Sequence, residues 1–337
     1  MKDFNGKIAV VTGGGTGMGR ELVLALVSAG AHVAMCDVSA ANMAETAELA
    51  ADVNGDLKVT THLCDVSQEE AMNNFRDEVV AQHATDHIHL LFNNAGIAGG
   101  GSFVDGERSE WERTFGVCWY GVYYGARAFM PLLVAADEAH ITNTSSVNGF
   151  WATIGHMVPH TSYSAAKFAV KGFTEALIND LRLNAPHVGV SLVMPGHIGT
   201  SIAINSGLVH GHNAPLDMTA EEVAVARERM IAAGLPVDNE PDDHIRAAVA
   251  AGQQGFKDNA PMTAATAAEV ILNGVRDNRW RILVGEDAQA LDSHVRKDPE
   301  AAYDANFMDR LRAEGHFGGL TQTAASATTS SDTGADS

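Results

Sequence analysis

Cysteine is scarce in this chain. Cys36, Cys64 and Cys118 are the three present among 337 residues, and they form no CxxC. That argues against a disulfide-built scaffold and leaves buried, reduced thiols in a reducing compartment as the expectation. Positive charge is scarce too: 22 Lys and Arg stand against 42 Asp and Glu, a formal net charge of −20. Such a balance argues against a nucleic-acid surface and against an anionic membrane surface. No apolar run approaches the roughly 20 residues of a membrane span. Residues 1–7 are polar and run directly into a short strand, with no signal-peptide pattern. The expectation is a cytoplasmic protein that takes a small-molecule substrate and partners neither nucleic acid nor membrane.

Apolar residues make up 46% of the chain, ample for a large core. Apolar, β-branched stretches at 7–12, 31–36, 58–63, 88–92, 139–144, 188–193 and 281–284 read as strands. Helical patterns alternate with them at 20–29, 40–51, 67–82, 109–134, 163–183 and 263–278. Ser67 and Glu70 have the spacing of a capping box opening the third helix. Strand–helix alternation means βαβ units, so the spacing predicts a doubly wound Rossmann-type parallel sheet of about seven strands with helices on both faces. Residues 202–261 break the alternation and read as a substrate lid or an interface element. Within them helices are expected at 219–233, with a second capping box at Thr219 and Glu222, and at 242–251. A charged helical segment follows the last strand to about residue 312. Residues 1–320 read as one domain, and 321–337, rich in Thr, Ser, Ala and Asp, as a disordered tail.

In such sheets ligands lie at the carboxyl ends of the strands. After the first strand comes TGGGTGMG at 12–19, then a helix. Glycines there let backbone N–H groups approach a pyrophosphate at the helix N-terminus. Asp37 ends the second strand, about 20 residues on, where a carboxylate binds the adenosine ribose 2′-hydroxyl and repels a 2′-phosphate. No Lys or Arg follows Asp37 or sits in the glycine turn, so NAD is favoured over NADP. Tyr163 and Lys167 stand four apart near the start of a helical run, hence on one helix face. An ammonium beside a phenol favours the phenolate. A phenol tuned in this way can exchange a proton with an alcohol or carbonyl oxygen.

Taken together, these residues resemble the short-chain dehydrogenase/reductase family. Thr12–Gly19 is similar to its TGxxxGxG turn, Asp37 to its NAD-selecting acid, and Asp65-Val66 to the pair beside the adenine ring. Asn93-Asn94-Ala95-Gly96 is similar to its NNAG motif, Asn143-Thr144-Ser145-Ser146 to its serine-bearing strand, and Tyr163 with Lys167 to its YxxxK pair. Pro195-Gly196 through Thr200 resembles its PGxxxT segment. The resemblance implies Tyr163 as general acid/base and Ser146 as the group that orients the substrate oxygen. It implies that Lys167 binds the nicotinamide ribose and lowers the Tyr163 pKa. It implies a cofactor site of Gly13, Thr16, Gly17, Met18, Gly19, Asp37, Val38, Asp65, Val66, Asn93, Ala95, Gly96, Tyr163, Lys167, Pro195, Gly196, Ile198 and Thr200. The activity implied is NAD-dependent interconversion of a secondary alcohol and a ketone or aldehyde. An NAD-using epimerase or dehydratase and a non-catalytic NAD-binding protein are the alternatives.

Two departures stand out. Cys118, in Val117-Cys118-Trp119-Tyr120-Gly121, occupies the position of an asparagine in the family's VNxxG pattern. The spacing from Ser146 to Tyr163 is also longer than the common one, which keeps Ser145 as the fallback serine. The lengthened loop would hang over the substrate, with Trp151, Met157 and His197 as substrate contacts. Phe150, Ile154, Met194 and Ile198 add apolar walls, which suits a hydrophobic substrate. His210 and His212 form an HxH, but no ligand spacing supports a metal site. The apolar helices at 109–134 and 163–183 suit a homo-oligomer, a tetramer or a dimer.

Overall fold

A computed structural model describes residues 1–155, 158–232 and 234–316. Its strands are β1 (Ile8–Thr12), β2 (His32–Asp37), β3 (Val59–Leu63), β4 (Leu90–Asn93), β5 (Ala139–Thr144), β6 (Val188–Pro195), β7 (Ile198–Gly199), β8 (Met262–Thr263) and β9 (Arg281–Val284). Seven of them form one parallel sheet in the order β3-β2-β1-β4-β5-β6-β9, and β7 pairs with β8 beside it. The order reverses between β1 and β4, which creates the crevice where such folds bind nucleotides.

The helices are α1 (Gly17–Ser28), α2 (Ala40–Asn54), α3 (Glu69–His83), α4 (Arg108–Phe115), α5 (Gly121–Ala135), α6 (Thr161–Asn184), α7 (Ile202–Val209), α8 (Ala220–Ala232), α9 (Asp242–Asp258), α10 (Ala264–Arg276), α11 (Glu286–Lys297) and α12 (Phe307–Ala313). Side-chain alternation along each strand feeds two cores. Ala9, Val11, Met35 and Phe92 meet Leu22, Leu26, Met43 and Ile271 of α1, α2 and α10 on one face. Val10, Ala34, Leu91 and Ile141 meet Phe75, Phe129, Leu177 and Leu181 of α3, α5 and α6 on the other. Both faces are covered, which is why the central strands read as unbroken apolar runs. The sheet is the expected doubly wound Rossmann-type α/β architecture. Among the described residues no helix is long and apolar enough to cross a membrane.

Three local expectations are corrected. The helix expected over 109–134 is interrupted by a π-helical turn, Gly116–Tyr120, between α4 and α5. Ser67 does not cap α3: its hydroxyl donates to Asp65 Oδ1 at 2.8 Å, and the helix starts at Glu69. A capping serine must accept an N–H, and Ser67 Oγ instead accepts Arg113 Nη1 at 2.8 Å and Gln68 Nε2 at 3.1 Å, so its acceptor sites are already taken by side chains. The excursion carries an extra helix, α7, while the Thr219–Glu222 box forms as expected, each residue's N–H bonded to the other's side chain at 2.7 and 3.2 Å. The tail expected at 321–337 lies outside the described residues.

Beyond β9 the chain turns back along the loop that follows β5. Arg281 and Arg296 pair with the nearly buried Asp292 of α11. Trp151, Leu291, Val295, Phe307 and Leu311 form a separate small core there.

Candidate active site

The glycine turn and the NNAG segment are laced together at the ends of β1 and β4. Thr12 Oγ1 accepts the N–H groups of Asn94 and Ala95, both at 3.0 Å, and Asn94 Nδ2 donates to the Thr12 carbonyl at 3.1 Å. Gly13 takes a left-handed φ of +68°, and a Cβ there would stand 2.9 Å from Ala95 Cα. A Cβ at Gly19 would strike the Gly13 carbonyl. Both glycines are therefore fixed by backbone closeness. The first-turn N–H groups of α1, at Gly17, Met18 and Gly19, have no acceptor inside the helix and carry its positive dipole end, the ordinary setting for a phosphate.

Asp37 closes the glycine turn on the β2 side. Its carboxylate accepts Gly15 N–H and Ser39 N–H, each at 3.0 Å, with half-exposed Val38 between. Arg20, the basic residue just past the turn, is already committed: it donates to the Gly15 carbonyl at 2.8 Å and pairs with Glu45 at 2.7 Å. Asp65 is tied to Arg113 at 2.6 Å and to Ser67; burial works against its charge, but these partners hold its carboxyl below the ordinary range. Val66 lies buried beside it. Asn93 faces the interior: its Nδ2 donates to Asn143 Oδ1 at 2.8 Å, and Asn143 Nδ2 to Thr174 Oγ1 at 3.0 Å. This string ties β4, β5 and α6 together. At the end of β6, past Pro195, Gly196 N–H bonds the Val284 carbonyl at 2.9 Å. Ile198 is buried in β7, and Thr200 packs against Gly17 at the start of α1.

The reactive groups stand where β5 meets α6. Lys167 is 2% exposed, and its Nζ donates to the Thr144 carbonyl at 2.9 Å. The same Nζ lies 5.4 Å from the centroid of the Tyr163 ring. Ser145 is spent on packing, its hydroxyl donating to the Lys167 carbonyl at 2.8 Å. Ser146 instead stands beside Tyr163, where its hydroxyl favours the phenolate, while its Oγ accepts Asn148 N–H at 3.1 Å. The structure thus separates the two serines. Cys118 sits in the π turn, fully buried, with its thiol donating to the Ile97 carbonyl at 3.2 Å. A Cβ on Gly96 would lie 3.5 Å from Lys167 Nζ and 3.8 Å from Cys118 Sγ, so ammonium and thiol flank the same glycine.

The electrostatics differ from expectation. Burial pushes the Tyr163 phenol well above its ordinary value, a nearby Cys118 charge would add to that, and the Ser146 hydroxyl pulls it back. Burial also lowers Lys167. The lowering of Tyr163 by Lys167 is therefore not a property of this protein alone: removal from water outweighs a cation that stands 5.4 Å from the ring centroid.

The expected substrate contacts are rearranged. Trp151 is 4% exposed, its indole N–H donates to the Ala302 carbonyl at 2.8 Å, and its ring packs on Phe307. It anchors the C-terminal segment. His197 turns toward α9, bonding the Phe256 carbonyl at 2.6 Å and packing on its ring, because a carbonyl acceptor lies in reach there. Met194 is buried in the interior. Met157 lies outside the described residues. His160, by contrast, stacks at 4.8 Å on the Tyr163 ring, and burial lowers its pKa to about 4, so the imidazole is neutral. Helix α7 lies against the glycine turn and the segment after β4. Asn205 Nδ2 donates to Thr16 Oγ1 at 3.1 Å, Ser206 Oγ accepts Ala98 N–H at 2.8 Å, and His210 meets the Ala98 carbonyl at 3.0 Å. His212 pairs with Glu110, and among the described residues no cluster of three or more metal-ligating groups occurs.

A family model described as short chain dehydrogenase matches residues 7–209. The chain belongs to the short-chain dehydrogenase family. The match covers the whole glycine-turn-to-α7 span, and with it every motif from Thr12 to Thr200. Among similar proteins, the putative oxidoreductase SadH of Mycobacterium tuberculosis is 34% identical over 292 residues, 87% of this chain and 91% of that protein. Epidermal retinol dehydrogenase 2 of Homo sapiens is 31% identical over 176 residues, 52% of this chain and 55% of that protein. A short-chain dehydrogenase/reductase from Burkholderia phymatum, solved in complex with NAD, superposes with a TM-score of 0.70 at 28% identity, covering 90% of this chain and 98% of its own. A metagenomic short-chain oxidoreductase in complex with NADP superposes over 57% of this chain and 83% of its own at a TM-score of 0.51 and 30% identity. This dehydrogenase is thus similar to proteins solved with either nicotinamide cofactor.

Asn148 and Asn205 were not legible as site residues. Asn148 acts through its backbone N–H and two amide bonds to its own loop, and Asn205 through one long-range side-chain bond, all made only after folding. Asn94 was visible as part of NNAG, and its role in bracing the glycine turn comes from the structure.

Proposed function

We propose that this oxidoreductase is NAD-dependent and interconverts a secondary alcohol with a ketone or aldehyde, on a hydrophobic substrate. The observation that carries this reading is the convergence of Ser146, Tyr163 and Lys167 at the carboxyl end of β5, beside a cradle closed by the Asp37 carboxylate. The cradle fits a dinucleotide: Gly13 and Gly19 allow backbone approach, the N-terminus of α1 offers N–H groups, and Asp37 offers an acceptor to a ribose diol. Arg20, bound to Glu45, is not free to meet a 2′-phosphate, which supports NAD over NADP.

When bound, NAD supplies the hydride acceptor for oxidation, its reduced form the hydride donor for reduction, and its oxidised ring a positive charge. The chain's own groups do the rest. Ser146 Oγ donates a hydrogen bond to the substrate oxygen and fixes it beside the phenol. Tyr163 gives its proton to that oxygen in carbonyl reduction and takes it back in alcohol oxidation. Its raised pKa keeps the phenol protonated in the free chain, the form needed to donate. Lys167, held by the Thr144 carbonyl, presents its remaining N–H groups to the nicotinamide ribose. Asn148 positions Ser146, and His160 walls the phenol. Similarity to a retinol dehydrogenase over about half the chain supports an apolar alcohol.

The test is incubation with NAD, NADH, NADP or NADPH and a panel of secondary alcohols and ketones, read at the reduced-nicotinamide absorbance band. Net NAD-linked change on apolar members is expected. Isomerisation without net cofactor change would point to an epimerase, and binding without change on any substrate to a non-catalytic protein. We also propose a homo-oligomer, a tetramer or a dimer, through α4, α5 and α6, where Tyr120, Tyr123 and Phe168 are each about 40% exposed. A monomer by light scattering contradicts it.

A further inference from the structure

A cavity of about 360 Å³ lies between the loop after β5 and the segment joining α11 to α12. Its volume falls in the range of small-molecule sites. Trp151, Val158 and Pro159 line it from the loop, and Ala302, Phe307 and Met308 from the far side. Its walls are mainly apolar; Thr153 and Tyr303 add hydroxyls, and Asp304 lines it as an exposed carboxylate.

Two chains of contact connect this cavity to the reacting groups. Pro159 is followed by His160, whose ring stacks on Tyr163 at 4.8 Å. On the other side, Asn148 holds Ser146 Oγ through its N–H, and its Nδ2 donates to the Trp151 and Thr153 carbonyls at 3.0 and 2.6 Å. Thr153 lines the cavity as well. The loop that lengthens the Ser146-to-Tyr163 spacing is therefore the loop that walls the cavity. Its far wall is fixed in place by the Trp151 indole bond to Ala302 and by the Tyr303 hydroxyl, which accepts Ala152 N–H at 3.1 Å.

We propose that this cavity binds the distal apolar part of the substrate, a neutral aliphatic or aromatic tail whose carbinol or carbonyl end reaches Tyr163. The inference rests on the alcohol/carbonyl reading above. The tail is uncharged: a terminal carboxylate would meet the Asp304 carboxylate in a chain of net charge −20. The C-terminal segment past β9 is thereby a specificity element that the loop alone does not supply.

The experiment measures, by calorimetry, binding of a homologous series of methyl ketones of increasing chain length to the full-length protein with NAD, which cannot reduce them; NADH replaces NAD only where cofactor oxidation is followed. Val158→Trp and Ala305→Trp place a large ring at the cavity from its two opposite walls, and both positions are exposed, so the fold is preserved. In the unmodified protein affinity is expected to rise with length, up to about fourfold per fully buried methylene. Both variants should flatten that rise, losing tenfold or more on the longest ketone. A ketone carrying a terminal carboxylate should bind at least tenfold more weakly than its neutral analogue. The proposal is overturned if the unmodified protein shows no dependence on length, or if both variants keep the unmodified slope. Cofactor oxidation is followed in parallel. Length-dependent binding with no NADH consumed sinks the reaction reading and leaves the cavity assignment standing.

Discussion

Cys118 donates its thiol to the carbonyl of Ile97 at 3.2 Å, next to the glycine that Lys167 Nζ also faces. The π turn that carries Cys118 is the kind of helix defect found at functional sites. A thiol is a weak donor and acceptor compared with a carboxamide. Any water path from Lys167 toward solvent is then poorly held at this point. Replacing Cys118 with Asn should raise the rate of the proton-limited step severalfold and move the pH–rate profile. An unchanged rate and profile would mean that the cysteine plays no part in proton exchange.

The Asp37 carboxylate accepts two backbone N–H groups and has no basic partner among the described residues, while Arg20 is paired with Glu45. The unmodified protein should prefer NAD over NADP by at least tenfold in kcat/KM. Asp37→Ala should shrink that preference, because the 2′-phosphate no longer meets a negative charge. Equal use of both cofactors by the unmodified protein would remove the argument from Asp37.

Asn143 satisfies two other side chains in the dry centre of the sheet, Asn93 and Thr174. Asn143→Leu leaves an amide donor on Asn93 without a partner, at a cost of about 1–3 kcal/mol. The denaturation midpoint should fall accordingly, with the cofactor preference unaltered. A midpoint unchanged within error would show that the string contributes nothing to stability.

Several histidines are buried and neutral. Burial lowers His140 to about 3 and His89 and His160 to about 4. In the unfolded chain each protonates near pH 6.5. As the pH falls from about 6.5 toward 4, the unfolded state gains protons that the folded state does not, so stability is lost across that window. The loss is about 1.4 kcal/mol per pH unit for each such group. Thermal melts between pH 7 and 4 should show it, and His140→Asn should reduce the slope. A melting temperature independent of pH over this range contradicts the assignment.

The strands at 139–144 and 281–284 and the Thr219–Glu222 cap were legible because each rests on short-range chemistry, β-branched packing or reciprocal capping bonds. The meeting of Ser146, Tyr163 and Lys167 was legible for a similar reason: topology puts the carboxyl ends of the strands at one edge, so motifs far apart in sequence converge. What failed depended on competition between partners. Ser67 had the Arg113 guanidinium within reach, and its Oγ accepts from it in place of a first-turn N–H. Helix α7 has no side-chain cap, and its place comes from long-range bonds to Thr16 and Ala98. The bond from the Trp151 N–H to the carbonyl of Ala302 spans 151 residues, so no local pattern announces that this ring also anchors the C-terminal segment. The expectation for Tyr163 weighed one nearby cation and omitted the burial of the whole pair, which dominates.

The central claim is that Tyr163 moves the proton while the chain holds NAD and substrate in place around it. The most direct measurement compares NAD-linked turnover of an apolar secondary alcohol by the unmodified protein and by Tyr163→Phe, with NADH binding followed by fluorescence in both. Turnover should drop by about 10²-fold or more, while NADH affinity stays within about threefold, since Asp37 and the N-terminus of α1 are untouched. Substantial turnover by Tyr163→Phe, with cofactor still bound, would contradict the account.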